Sequence, residues 1–128
     1  MIIIGLAFAV LSALIHVYIF VLESVLWTSP RGRAVFGTTE EGARATRELA
    51  FNQGFYNLFL AVTVFAGTAL ALAGVFEAGA ALVYAGAGSM VLAGTVLAAT
   101  SRDKLRPALI QLAPPLVGVV LLTAGILV

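Results

Sequence analysis

The sequence predicts an all-α membrane protein, a bundle of four transmembrane helices, and three observations predict it. The 128 residues are 62% hydrophobic and 10% charged, with a mean hydropathy of +1.11. A soluble domain is about 45–50% apolar and about 25% charged. Four stretches, 1–22, 49–76, 78–101 and 107–128, contain no Asp, Glu, Lys or Arg, and all seven basic residues fall between them. Roughly 20 apolar residues cross a hydrocarbon core of about 30 Å. A spanning backbone must satisfy its own hydrogen bonds, as a helix or a closed barrel. A barrel needs segments of about ten residues with alternating polarity, and the chain has none.

The expected spans are 2–27, 49–73, 78–100 and 108–127, in one integral membrane domain covering residues 1–128. The first lacks a basic flank and a cleavage site, so it reads as a span and not as a signal peptide. Trp27 suits the interface, and Pro30 turns Ser29 away from helical geometry, ending that helix. In the loop that follows, Thr38-Thr-Glu-Glu41 fits a capping box, with Thr38 as the cap and Glu41 reaching back. It predicts a short amphipathic helix over 39–48 running into span two. Arg31, Arg33, Arg44 and Arg47 occupy this loop, and Arg102, Lys104 and Arg106 the loop between spans three and four. Basic loops stay in the cytoplasm, so both termini and the Glu77 turn are expected outside. On span three, Ala81, Ala85, Ser89 and Ala93 recur every fourth residue with Gly86 and Gly94 nearby, a pattern that lets helices approach closely in lipid.

Polar residues inside the spans carry the functional reading. An ionisable group there costs about 2.5–3.5 kcal/mol on insertion scales. His16 and Glu23, seven residues apart, fall on one face of span one, and Ser12 and Trp27 extend the stripe. Span two opens with Asn52-Gln53 followed by Tyr56-Asn57, and span four adds Gln111 ahead of the kinking pair Pro114-Pro115. At 1.5 Å per residue, Glu23, Gln53 and Gln111 reach a common cytoplasmic level, with His16, Tyr56 and Asn57 deeper. These positions imply a polar pocket open to the cytoplasm, with His16, Glu23, Trp27, Asn52, Gln53, Tyr56, Asn57 and Gln111 as ligand-binding residues. Glu23 and His16 are the candidate proton-exchanging groups.

Several chemistries are excluded. One His and one Glu fall short of a zinc site, which wants three or four protein ligands, so no metal is expected. No phosphate-binding loop or dinucleotide fingerprint occurs, and no cofactor is expected. A Ser–His–Asp triad lacks an acid at the right depth, because Asp103 is a loop residue. The formal charge of +1 is too small for nucleic-acid binding by counterion release. Absence of cysteine rules out a disulfide-stapled scaffold.

The motifs Trp27-x-x-Pro30-Arg-Gly-Arg33 with Phe36, Leu49-Ala-x-Asn52-Gln-Gly-x-Tyr56-Asn57, and Gln111 before a proline resemble a widespread bacterial family. Its members are short four-span membrane proteins known as a domain of unknown function. That resemblance covers essentially the whole chain and implies the fold and an inner-membrane location, without an activity. Leu58 departs from the small residue common after the Tyr-Asn pair. Small multidrug-resistance exporters are similar in having four spans and a membrane Glu in the first, although their balanced loop charges permit dual topology. Sterol isomerases of the emopamil-binding type also gather His, Glu, Asn and Trp in a membrane cavity, in a different order of motifs. Three functions are therefore weighed. The first is binding or transport, proton-coupled in one form, of a small polar or cationic ligand. The second is an acid–base enzyme acting on an isoprenoid, sterol-like or quinone substrate, and the third an accessory subunit. The expected partners are the bilayer, a small-molecule or lipid-like ligand, and a second copy of the chain in a homodimer.

Overall fold

The computed structural model describes Met1–Val128. It is all-helical: α1 (Ile2–Phe20), α2 (Pro30–Phe36), α3 (Glu40–Ala45), α4 (Arg47–Leu72), α5 (Phe76–Thr100) and α6 (Leu105–Leu127). A π-turn over Val21–Val25 extends α1, and one 3₁₀ turn over Arg102–Lys104 precedes α6. Four segments are long and apolar enough to cross a membrane: Ile2–Val25, Arg47–Leu72, Phe76–Thr100 and Arg102–Leu127. The chain is thus a membrane protein of four candidate spans. It resolves into two compact units, one of Met1–Ile15 with Leu60–Val128 and one of His16–Phe59.

In the first unit α5 packs on α6, and small residues set the closest approaches. A Cβ on Gly67 would lie 2.7 Å from the Gly79 carbonyl oxygen, and one on Gly118 would lie 3.0 Å from the Ala9 nitrogen. Close backbone approach of this kind supplies the van der Waals contact that associates helices in lipid. Of the small residues singled out on α5, Gly86 and Gly94 are buried in this packing, and the every-fourth-residue stripe is not. Ala81, Ala85, Ser89 and Ala93 are exposed, whereas Gly79, Ala80, Val83, Gly86, Ala87, Met90 and Gly94 are buried. Both faces of α5 are apolar and rich in small residues, so spacing alone does not select the inner one. Pro114 and Pro115 lie inside α6. The turn between α4 and α5 uses Gly74 at φ +92°, in the left-handed region that glycine enters without a Cβ penalty.

The second unit holds the loop segment, which is more ordered than expected. Pro30 both follows the end of the first span and starts α2: it occupies the first turn, where its missing N–H is no loss. The Ser29 hydroxyl accepts from the Gly32 N–H at 3.1 Å. The cap of α3 is Thr39 and not Thr38, its hydroxyl accepting from the Gly42 N–H at 3.1 Å. The helix therefore starts one residue later than expected. It also stops at Ala45, and Thr46 at φ −106°, ψ 8° separates it from α4. One six-residue helix, broken from α4 at Thr46, thus replaces the single one read over 39–48, and α2 is an additional short helix before it. Arg44 and Arg33 both pair with Glu40, and Arg31 folds back to donate to the Tyr18 hydroxyl at 2.8 Å.

Seven basic residues on two loops define an orientation that labelling can check. The chain has no native cysteine, so Ala78→Cys, beside Glu77, is a clean probe. It is expected to react with an impermeant maleimide on intact spheroplasts. Reaction only after lysis would reverse the orientation.

Candidate functional site

All the geometry that follows lies in the His16–Phe59 unit. The π-turn is its starting point. The Leu26 N–H reaches back five residues to the Val21 carbonyl at 2.9 Å, widening the turn that carries Glu23. Such single π-turns are enriched at functional sites. This turn also ends the regular 3.6-residue spacing between His16 and Glu23, so the seven-residue stripe read from the sequence does not continue through it.

Glu23 is held against α4. Its Oε2 accepts from Asn57 Nδ2 at 2.8 Å, and the same amide donates to the Gln53 carbonyl at 3.2 Å. The neighbouring Ser24 hydroxyl donates to the Phe51 carbonyl at 2.8 Å. This approach depends on Gly54: a Cβ there would collide with Ser24 Oγ and come within 3.1 Å of the Glu23 Cβ. The chain's two ion pairs both use Glu40, so no cation of the chain pairs with the Glu23 carboxylate.

Trp27 is fixed from two sides. Its Nε1 donates to Thr46 Oγ1 at 3.2 Å, and its ring lies 4.9 Å from that of Phe36. Thr46 in turn donates to the Gly42 carbonyl at 2.8 Å. Gly32 allows the Trp27 turn to close, since a Cβ there would strike the Leu26 carbonyl oxygen. The motif residues Trp27, Gly32, Phe36, Gly54 and Asn57 therefore hold two chain segments, 23–27 and 46–57, in one arrangement.

Between those segments lies an open groove of about 430 Å³, lined by Glu23, Trp27, Thr46, Leu49, Ala50, Asn52, Gln53 and Tyr56. Five of the residues singled out from the sequence thus meet in one place. Asn57 lies behind them, 9% exposed, bonded to Glu23. His16 is 2% exposed and does not line the groove. Gln111 belongs to the other compact unit and does not line it either. Thr46, Leu49 and Ala50 were missed: an isolated Thr and two apolar residues carry no signal until the α3–α4 break brings them beside Trp27. The chemistry on offer is one carboxylate, two primary amides and two aromatic rings. That set has the chemistry to receive a cation or a hydrogen-bonding ligand, and it brings no group of three or more His, Cys, Asp or Glu together as metal ligands.

Among curated proteins and solved structures, nothing matches the chain. The family model described as protein of unknown function (DUF1304) matches residues 10–123, nearly the full length, and the chain belongs to that family.

Proposed function

We propose that this protein is an inner-membrane protein that binds a small cationic ligand, an amine, in the Glu23 groove on its cytoplasmic side. One observation carries the reading: a carboxylate within a candidate span, positioned by Asn57 on one oxygen and without a cationic partner from the chain. Charged groups in spans pair with one another or mark a ligand path, and a ligand ammonium completes this one. Trp27 and Tyr56 in the groove suit the apolar body of an organic amine, since aromatic faces attract cations by about 0.5–2 kcal/mol. The groove is lined without His16, so it offers one carboxylate with amides and not an acid–base pair, which favours binding over turnover. Carriage of the ligand across the membrane is the natural extension for a four-span protein.

Trp27 is the only tryptophan and lines the groove, so its emission reports occupancy. Titration of the purified protein with butylammonium is expected to change that emission saturably. Glu23→Gln should weaken the binding about tenfold or more, because a charge-assisted hydrogen bond is worth about 1.5–3 kcal/mol. Unaltered butylammonium affinity in a folded Glu23→Gln variant would refute the reading.

A further inference from the structure

A second cavity adjoins the first. It encloses about 370 Å³ and is lined by Thr28, Glu40, Arg44 and Arg47. The two are lined by consecutive residues: Trp27 and Thr46 line the groove, and their chain neighbours Thr28 and Arg47 line the crevice. Adjacent Cα atoms are about 3.8 Å apart. Trp27 and Thr46, joined by a hydrogen bond, form one wall of the groove.

The charges of this unit divide between groove and crevice. Arg33 and Arg44 are taken up by Glu40, and Arg31 by the Tyr18 hydroxyl and ring. Arg47 has no ion pair or hydrogen bond to its guanidinium, although it lines the crevice. An unpaired carboxylate therefore lines the groove and an unpaired guanidinium the crevice. We propose that they receive the two ends of one zwitterion: a primary ammonium at Glu23 and a phosphodiester at Arg47 and Thr28. The proposal rests on the amine reading of Glu23 and adds the anionic half.

Three features select the phosphodiester. Arg is the residue suited to forked hydrogen bonding of phosphate oxygens, and the Thr28 hydroxyl adds a donor. The crevice carries Arg44 and Arg47 against Glu40, and Glu40 is already paired with Arg33 and Arg44, which leaves the Arg47 guanidinium as the one unpaired positive charge there. That balances the single charge of a diester and falls short of a monoester, which carries about −1.5 to −2 at neutral pH. Arg47 is also the first residue of its candidate span, and the end of a span is where headgroups border the hydrocarbon core. Directly below it, Leu49 and Phe51 are exposed, at 71% and 49%, where acyl chains would lie. An aminophospholipid headgroup has this chemistry, and so has its soluble glycerophosphoryl ester.

The test uses Trp27 emission of the full chain in detergent, with butylammonium, glycerophosphoethanolamine, dihexanoylphosphatidylethanolamine and β-alanine as probes. The expected result is a glycerophosphoethanolamine affinity at least about tenfold above that of butylammonium, a difference of about 1.4 kcal/mol. Arg47→Gln should reduce that ratio to nearly one, and Arg47→Lys, which keeps the charge, should recover part of it. Tighter binding of the dihexanoyl lipid identifies a membrane source, and equal binding a soluble ester; both support the two-part site. A ratio of one in the parent protein, or a ratio that Arg47→Gln leaves intact, overturns the phosphate half while butylammonium binding keeps the Glu23 reading. β-Alanine binding as tightly as the phosphodiester overturns the phosphate assignment as well. Failure of butylammonium itself to bind defeats both readings together.

Discussion

Gly54→Val is expected to lower the stability of the protein by about 2–4 kcal/mol in detergent and to abolish butylammonium binding. The missing Cβ lies where Ser24 Oγ now sits, with the Ser24 nitrogen at 3.0 Å and the Glu23 Cβ at 3.1 Å. A flexible side chain could rotate away from a new methyl group, but two of these three atoms belong to backbone or to a branch point fixed by the π-turn. The 23–27 segment must then move off α4. Overpacking of this kind costs about 1–3 kcal/mol, and losing the Ser24–Phe51 hydrogen bond adds about 1 kcal/mol. Binding fails for a separate reason: the displaced segment carries Glu23 and Trp27, two residues of the groove. Gly88→Ala is the matched control, because a Cβ there meets nothing within 4 Å and a helical Gly→Ala change by itself favours the helix by about 0.8–1 kcal/mol. Denaturant titration of the two variants beside the parent reads the contrast. A Gly54→Val protein as stable as the parent would mean that Glu23 does not approach α4 as described.

Gly54 also shows how much of the molecule is legible in its sequence. The four spans are legible because a charge-free stretch longer than about 20 residues has one physical use. The second begins at Arg47 and not at Leu49, a difference of one helical step or two. The segment between spans one and two was only half legible. Pro30 is both a terminator of the preceding helix and a favoured first residue of the next, and the sequence reading took the first meaning alone. Thr38 and Thr39 are adjacent candidates for one cap, and choosing between them needs the backbone. On α5, apolar residues cover the whole circumference, so there is no polar stripe to mark the outside, and spacing alone left open whether the Ala81–Ala93 stripe meets helices of the same chain or of a second copy.

The groove was legible by depth. The reading set Glu23, Gln53 and Gln111 at a common level with Tyr56 deeper, and of these Glu23, Gln53 and Tyr56 line the groove beside Trp27 and Asn52. What depth could not supply was azimuth. The π-turn at Val21–Val25 rotates Glu23 relative to a regular helix, and nothing in Val-Leu-Glu-Ser-Val announces an extra residue in the turn. Gln111 shared the level of Glu23 and His16 was placed deeper, yet neither lines the groove. The two glycines of the motifs, Gly32 and Gly54, were given no role from the sequence. Which approach they permit, Leu26 on Gly32 and Ser24 on Gly54, required the fold.

The pair Glu23 and Asn57 separates a binding site from polar residues that merely hold helices together. Asn57→Leu is expected to cost about 2–3 kcal/mol, because a hydrogen bond to a charged group is worth about 1.5–3 kcal/mol and the carboxylate is left in a span without its donor. Glu23→Leu should cost less, about 1 kcal/mol, since the Asn57 amide keeps its bond to the Gln53 carbonyl at 3.2 Å. Replacing both partners by apolar groups of similar size removes the orphaned charge together with the orphaned amide. Glu23→Leu with Asn57→Leu should therefore be more stable than Asn57→Leu alone, with a coupling energy of about 1–2 kcal/mol between the sites. Interhelical glue makes the same forecast for stability, so stability cannot decide between the two roles. Ligand binding can. If the pair is glue, a double variant that recovers its stability recovers everything the pair did. If Glu23 is the anchor of a cation, the double variant folds, holds Trp27 in its place beside Thr46, and shows no saturable response to butylammonium. A stable double variant that still binds butylammonium with the parent's affinity would assign the cation to another group and leave Glu23 a packing residue.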